Sequence, residues 1–254
     1  FIDNSLVSNN FSLSSIFFNL YLRILSNNYT HKHLFFLIII SSLTLILRGE
    51  FLIIFLFSLI FLIILNKKNF IYSMLIFLFT IMIISPYLTR NYINTGKAHI
   101  VNVTGYALWK GNNQLAKVEG FHNPLHPQSR GDWPQIPEFE NLYKNLDKVN
   151  KDKNYEINRD KVFKEEAINN IFSNKKDYFF LYLKKIISYF FIDINSSLKN
   201  YYNPTHIAPI LLFSLCSIPG AIIALKKYKN PQIIYLILIT CLLIGFISIF
   251  FILP

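Results

Sequence analysis

Apolar residues are gathered into long runs that are separated by short polar connections near both ends of the chain. Almost uncharged runs cover residues 34–47, 51–65, 70–88, 207–225 and 233–253. A helix needs roughly 20 apolar residues to span the hydrocarbon core of a bilayer, and somewhat fewer where the bilayer thins. The last three runs meet this length and the first two meet it marginally, so the pattern predicts membrane-spanning helices.

A weaker run at residues 11–25 is interrupted by Asn19 and Arg23. With this run included, the pattern predicts four spans at about residues 11–27, 33–48, 50–66 and 70–88, and two more within 206–254. A long polar segment, residues 89–205, separates the two groups. The expected fold class is therefore an all-α membrane protein: a polytopic transmembrane helix bundle with a small α-rich domain outside the membrane.

The polar segment carries local signals of its own. Residues 158–172 combine helical spacing with acid–base pairs, which predicts a surface helix. Residues 98–109 alternate enough to predict a short strand. Between these two stretches, four prolines break any long element (Pro124, Pro127, Pro134 and Pro137).

Residues 177–194 are apolar enough to suggest a seventh span, but their apolar positions recur at helical spacing on one side only. Lys184 and Lys185 lie together on the remaining face, where a span would bury two charges at a cost of several kcal/mol. A helix lying in the membrane interface avoids that cost. We therefore predict an interfacial helix at about 177–194, within the domain 89–205.

Composition supports a membrane protein, because 53% of the residues are hydrophobic and 17% are aromatic. An ordinary soluble domain is less apolar than this, and buried helices of a large soluble core are the alternative. The chain begins with Phe1 and ends at Pro254 while still hydrophobic. We therefore expect an interior piece of a longer protein.

Charge predicts which side each connection faces. The 89–205 segment holds 17 of the 25 Lys and Arg residues, and seven of the other eight, all but Arg48, fall on one side if the chain crosses at each run. The positive-inside rule makes that side cytoplasmic, and a segment as long as 89–205 is largely exempt from the rule. The 89–205 segment and the Arg48–Gly49–Glu50 turn are then extracytoplasmic, and the protein is integral to the inner or plasma membrane.

Candidate binding residues lie at the external ends of the predicted spans. Arg48 and Arg90 suit an anionic headgroup, because a guanidinium can bind phosphate through two hydrogen bonds, and Glu50 could orient Arg48. A helix-end ion pair is the alternative for Arg48 and Glu50. Trp109 is either an interfacial anchor or, with Asn112 and Asn113 nearby, a platform for a sugar.

Other chemistry is less well supported. His122 and His126, with Asp132 nearby, match no helix-based metal-ligand spacing, and we interpret them as solvated loop residues. No phosphate-binding glycine loop or nucleophile elbow is present. Nucleic acid is not needed as a partner, because membrane topology already accounts for many of the basic residues.

A family resemblance follows from "PYLTRNYINTGKAHIVNVTGYALWKGNN", residues 86–113. It resembles the pattern Pro-Trp-x-x-Arg-Asn-Tyr-x-x-x-Gly, then Gly-x-x-x-Trp-x-Gly-Asn-Asn, of bacterial GT-C glycosyltransferases related to dolichyl-phosphate-mannose–protein mannosyltransferases. "LTLILRGEFLI" (43–53) is similar to that family's Leu-x-Arg-Pro-Glu turn, with Gly49 replacing proline. "KEEAINNIFSNKKDYFFLYLKKIISYF" (164–190) is similar to the segment leading into its juxtamembrane helix, with Lys175 where proline is usual.

The resemblance implies an inverting transferase that moves a sugar from a polyprenyl-phosphate donor to a lipid-linked or protein acceptor on the external membrane face. It implies that Arg48, Glu50, Arg90, Asn91 and Tyr92 lie near the donor phosphate. Trp109, Asn112 and Asn113 would lie near a sugar. The general base of the family belongs to a loop expected upstream of Phe1, so no catalytic residue is assigned. No cofactor is implied with certainty, and a divalent metal requirement stays open.

Two rival classes remain. A polytopic transporter or flippase subunit would have charged or Gly/Pro-broken spans near mid-membrane, and here only Pro209 and Pro219 break the interior of a predicted span in that way. A non-catalytic membrane protein that binds a partner through its external domain is the other alternative.

Overall fold

The computed structural model describes residues 16–24, 31–47, 49, 51–100, 104–118, 136–152, 154–191, 202–227 and 230–250. In these ranges every regular element is an α-helix or a short 3-10 helix, so the all-α prediction is confirmed for the described residues. The chain divides into two compact units. Unit 1 comprises Phe1–Val101 and Ala224–Thr240, and unit 2 comprises Asn102–Ile223 and Cys241–Pro254.

The α-helices are numbered here in chain order. They are α1 (residues 16–24), α2 (His31–Leu47), α3 (Phe51–Leu65), α4 (Phe70–Thr95), α5 (Thr104–Gly111), α6 (Glu140–Asp147), α7 (Tyr155–Ser173), α8 (Lys175–Ser188), α9 (Pro204–Lys227) and α10 (Pro231–Ile247). Two 3-10 helices, Lys67–Asn69 and Pro137–Phe139, precede α4 and α6.

Two of the described helices are long and apolar enough to cross a membrane: α4, and the Ile207–Lys227 part of α9. Three shorter apolar helices, α2, α3 and α10, have 15 to 17 residues. At 1.5 Å per residue the shorter helices measure about 22–26 Å, which is near the lower limit for a span. Spanning-length apolar helices are thus present, and the six-span topology stays a prediction.

Unit 1 is built on α2, α3 and α4, which contact one another. Phe17 of α1 meets Phe51 edge to face at 4.7 Å between ring centroids. Tyr21 lies 4.5 Å from Tyr235, and its hydroxyl donates to the backbone carbonyl of Ser58. The Ser58 hydroxyl in turn pairs with that of Tyr235 at 2.7 Å. Aromatic packing and a small hydroxyl network therefore hold this unit together.

Three other buried hydroxyls of unit 1 are satisfied within their own helix, whereas Ser73 donates to the Leu59 carbonyl of α3 and Thr80 has no partner among the described residues. Ser41, Ser42 and Thr44 each donate to the carbonyl four residues earlier, at 2.6–2.8 Å. Hydrocarbon offers no water to replace such a bond, so a spanning helix tolerates serine and threonine only where this or another partner exists.

Unit 2 has a hydrophobic core between α5, α6 and α7 made of Trp109, Phe139, Leu142, Phe163 and Ala167. Phe163 and Ala167 recur one turn apart on α7, and the opposite side carries the pair Lys161–Glu165 at 3.6 Å. A second pair, Arg159–Glu156 at 3.7 Å, lies one to two turns before Phe163 on the same side, where the Arg159 guanidinium covers the Phe163 ring. A surface helix predicted at 158–172 is thereby confirmed as α7.

The strand predicted at 98–109 is wrong. Residues 98–100 have no regular structure and residues 104–109 belong to α5. The reason is tertiary: the Asp160 carboxylate of α7 accepts the first free backbone N–H groups of α5, from Gly105 and Tyr106, each at 2.9 Å. Helix N-termini need such acceptors. The alternation of apolar and polar residues in 98–109 gives no information about an acceptor that lies 55 residues away in the sequence.

Helix α8 also differs from its prediction. It covers Lys175–Ser188, so it begins earlier and ends sooner than 177–194. Lys184 is exposed but Lys185 is fully buried, so the two lysines do not share one polar face as expected. Adjacent helix positions differ by about 100°, and packing against other parts of unit 2 covers only one of them.

Replacing Asp160 with alanine is expected to lower the free energy of unfolding of unit 2 by about 1–2 kcal/mol, the usual value of a helix cap. Asp160→Asn keeps one acceptor oxygen and should cost less. Glu156→Ala, at an exposed position in the first turn of the same helix, is the matched control and should cost little, because a surface ion pair is weak. Thermal unfolding followed by circular dichroism measures these differences, and equal losses for Asp160→Ala and Glu156→Ala would contradict the cap.

Candidate functional site

The Arg90–Asn91–Tyr92 triplet lies in the last two turns of α4. This helix ends at Gly96, whose φ of 71° is left-handed and whose N–H donates to the carbonyl of Tyr92 at 2.7 Å. Glycine adopts that conformation without a Cβ penalty. The chain therefore stops being helical directly after the triplet.

Asn91 holds the chain that follows. Its side-chain amide donates to the carbonyl of His99 at 2.7 Å, and the Tyr87 hydroxyl donates to the carbonyl of Ile100 at 3.4 Å. Residues 96–100 consequently fold back along the last turns of α4. Within the triplet, the Asn91 side chain therefore has a structural role, because its amide is bonded to the backbone.

Arg90 and Tyr92 are exposed, and the exposed fraction of Tyr92 is 60%. Among the described residues no acidic side chain forms an ion pair with Arg90. Its position near the helix C-terminus favours a cation, since the last carbonyl groups carry partial negative charge. The guanidinium is accessible to an anion from outside.

Trp109 lies in the core of unit 2 with an exposed fraction of 0%. Its ring stacks on Tyr106 at 6.0 Å and meets Phe139 and Phe163 at 5.1 and 5.2 Å between centroids. This position explains the residue as part of the core. A sugar contact through the Trp109 ring would require these neighbours to move aside, and such a contact stays a prediction.

Asn112 and Asn113 follow the end of α5 and are almost fully buried. The Asn113 amide donates to the carbonyl of Trp109 at 3.0 Å, and its oxygen accepts the N–H of Leu115 at 2.9 Å. The Asn112 amide donates to the carbonyls of Leu108 at 2.8 Å and Ile249 at 2.7 Å. The last carbonyl groups of a helix have no intrahelical partners. Both side chains therefore donate to carbonyls at the C-terminal end of α5.

The remaining sequence candidates lie outside the described residues. This applies to Arg48 and Glu50, and also to His122, His126 and Asp132. Gly49, between the first two, forms a turn in which its carbonyl accepts the N–H of Leu52 at 3.1 Å. Arg90, Asn91 and Tyr92 belong to unit 1, whereas Trp109, Asn112 and Asn113 belong to unit 2.

A buried polar cluster in unit 2 was not predicted from the sequence, and we call it the Lys185 node: Gly111, Asn112, Tyr182, Lys185 and the 245–250 segment. The Lys185 ammonium donates to the carbonyls of Gly111 at 2.8 Å and Phe250 at 2.5 Å. The Tyr182 hydroxyl donates to the carbonyl of Gly245 at 3.0 Å. Side chains of the node thus satisfy carbonyls at the ends of α5 and α10.

Gly111 is required for this contact. A Cβ at that position would lie 1.6 Å from the Phe250 carbonyl oxygen and 3.1 Å from Lys185 Nζ. Only a residue without a side chain lets the two backbone segments approach so closely. The "GNN" of the sequence motif therefore has a packing explanation: glycine for the approach, and two asparagines for the helix end.

Lys185 is fully buried, and burial lowers the pKa of its side chain to about 7. A desolvated ammonium without an opposite charge loses its proton more readily. In the sequence, the Lys184–Lys185 pair gave no indication of which lysine would be buried. The two lysines are distinguished only by which side of α8 packs against the rest of unit 2.

No protein-family model matches the chain, and no curated protein or solved structure matches it either. The resemblance to the glycosyltransferases described above therefore rests on the sequence motifs.

Gly111→Ala is expected to destabilise unit 2 by at least about 1–3 kcal/mol, the usual cost of adding volume to a packed site. Its Cβ would overlap a backbone atom, which cannot swing aside as a side chain can. Trp109 fluorescence during thermal unfolding, measured in a Trp133→Phe background, reports on the neighbouring core.

Gly220→Ala in α9 is the control, since a Cβ there meets nothing within 4 Å and alanine favours a helix. It should leave the unfolding temperature unchanged or raise it slightly. An unfolding temperature for Gly111→Ala equal to that of the control would contradict the close approach.

Proposed function

We propose that the protein is a membrane glycosyltransferase, or the donor-binding part of one. It would act on the extracytoplasmic face and move a sugar from a polyprenyl-phosphate donor to a lipid-linked or protein acceptor. The 86–113 motif supports this proposal at the level of sequence. At the level of geometry, the supporting observation is the exposed Arg90 near the end of a spanning-length helix.

The length of α4 supports a position for Arg90 at the membrane surface. Its 26 residues make a helix of about 39 Å at 1.5 Å per residue, against about 30 Å of hydrocarbon. If the hydrocarbon begins near Phe70, directly after the basic residues Lys67 and Lys68, roughly the last six residues project beyond it. Arg90 is the first of these six, at the depth of a lipid phosphate.

The chemistry of the triplet suits a phosphate-linked lipid. An arginine binds phosphate in a bidentate, charge-assisted arrangement that lysine does not reproduce. An exposed tyrosine two residues later suits the polar boundary of the bilayer. Asn91 would contribute indirectly, since its hydrogen bond to the His99 carbonyl fixes the position of the chain that follows α4.

The sugar side of the site is proposed from the motif. By that resemblance Trp109, Asn112 and Asn113 of unit 2 would lie near a sugar, and their burial suits a supporting role there. The partners in this proposal are the polyprenyl-phosphate sugar, surrounding membrane lipids and an acceptor outside the cytoplasm. The catalytic base is not assigned to a described residue, so donor binding is a more direct test than turnover.

Arg90→Ala is expected to weaken binding of a polyprenyl-phosphate to the purified protein in nanodiscs by about 10- to 100-fold. This corresponds to the loss of one charge-assisted interaction of about 1.5–3 kcal/mol. Arg90→Lys should recover only part of the affinity. Titration with a radiolabelled polyprenyl monophosphate measures both variants, with protein abundance in the membrane recorded alongside.

Lys97→Ala is the matched control, because Lys97 is an exposed cation directly after the same helix. It should bind the lipid as the wild type does. Equal loss of binding and of abundance in Arg90→Ala would reduce Arg90 to a structural role. Unchanged binding in Arg90→Ala would remove the geometric support for the transferase.

A further inference from the structure

The Lys185 node contains a buried cation with acceptors but no opposite charge among the described residues. Its ammonium has two backbone carbonyl partners, Gly111 and Phe250, and its side chain is fully covered. No carboxylate contacts it in an ion pair within the described ranges. Hydrogen bonds to carbonyls recover only part of the hydration that an ammonium loses on burial.

The helix ends around Lys185 favour the ammonium in part. Gly111 is the last residue of α5, and Phe250 follows the end of α10 by three residues. A cation near a helix C-terminus is stabilised weakly by the partial negative charge of the last carbonyl groups. Complete burial lowers the pKa of an amine by considerably more than this effect raises it, so closure of the node lowers the affinity of Lys185 for its proton.

The titratable neighbours do not reverse this conclusion. Besides Lys185, the titratable residues of α8 are Lys175, Lys176, Asp177, Tyr178, Tyr182 and Lys184, and Tyr189 follows the helix directly. Asp177 already accepts from Asn174 at 2.6 Å. On α5 they are Tyr106 and Lys110, and burial lowers the pKa of Lys110. The 241–250 segment contributes only Cys241. Burial also raises the pKa of Tyr189 and Tyr106, so neither supplies a negative charge near neutral pH.

We propose that the Lys185 node is a proton-linked latch, in which release of the 249–250 turn from Gly111 and Asn112 is coupled to uptake of a proton by Lys185. Once released, the lysine is hydrated and binds its proton with ordinary affinity. The latch is a property of unit 2 alone, and it does not rest on the proposed transferase function.

The direction of the pH dependence follows from linkage. In the closed node the pKa of Lys185 is about 7, and in the released state it returns to the ordinary value of 10.5. Between these values the released state holds one more proton than the closed state. Raising the pH therefore favours closure, by about tenfold per pH unit. Below about pH 7 both states are protonated and the dependence disappears.

Hydrogen–deuterium exchange of the full chain in detergent micelles tests the latch between pH 6 and 9. The reporters are the amides of Asn112 and Phe250, which donate to Trp109 and Ile247 at 3.0 Å. Their exchange rates are divided by the intrinsic rate at each pH to give protection factors. A peptide from α3 in unit 1 reports any global change.

In the wild type the protection factors of both reporters should rise about tenfold per pH unit above pH 7 and stay level below it. Lys185→Gln retains a neutral donor and should give protection that does not depend on pH. Lys185→Arg cannot lose its charge and should give low protection at every pH. Lys184→Gln, which changes the exposed neighbour, should follow the wild type.

A wild type with level protection across this range would overturn the latch. Equal slopes in the wild type and Lys185→Gln would overturn it as well, because the titrating group would then be another residue. If Lys185→Gln loses its helical circular dichroism, the variant is not folded and the wild type alone provides the test. The protection factors of the two reporters are then compared with that of the α3 peptide. A rise confined to the reporters supports the latch, and a rise shared with α3 overturns it.

Discussion

Helix ends leave backbone groups without partners, and the need to satisfy those groups when they are buried shapes unit 2. Asp160 accepts two amides at the start of α5, while Asn112 and Asn113 serve its end. At and just after the end of α10, backbone carbonyls accept hydrogen bonds from the side chains of Tyr182, Asn112 and Lys185. These side chains come from distant parts of the chain, so the polar contacts fix the arrangement of short helices that would be marginal alone.

The same need is met differently in unit 1. Most buried hydroxyl groups there bond to their own helix, to a neighbouring helix or to one another, as in the Tyr21–Ser58–Tyr235 contacts, and Thr80 is an exception among the described residues. Charged side chains are absent from the buried core of this unit among the described residues. This arrangement suits an apolar solvent, in which each unsatisfied polar group costs several kcal/mol. Buried charge occurs instead in unit 2, at Lys185.

These differences bear on how the candidate residues should be interpreted. Residues of one sequence motif have two kinds of role: Asn91, Gly111, Asn112 and Asn113 serve backbone structure, and Arg90 and Tyr92 remain exposed. A motif can therefore recur because its backbone geometry is needed as well as because its side chains bind a ligand. In the proposed donor site, the exposed Arg90 is therefore the residue best suited to bind an anionic ligand.

The sequence by itself determined the helical class and the location of the long apolar helices, because the hydrophobic effect acts on local runs and on 3.6-residue spacing. It also identified α7, where acid–base pairs and apolar positions agree. It did not determine that residues 104–109 are helical, that Trp109 is core, or that Lys185 rather than Lys184 is buried. Each of these depends on a partner 54 or more positions away, such as Asp160 for α5 or Phe250 for Lys185. Only the tertiary structure brings such partners within hydrogen-bonding distance.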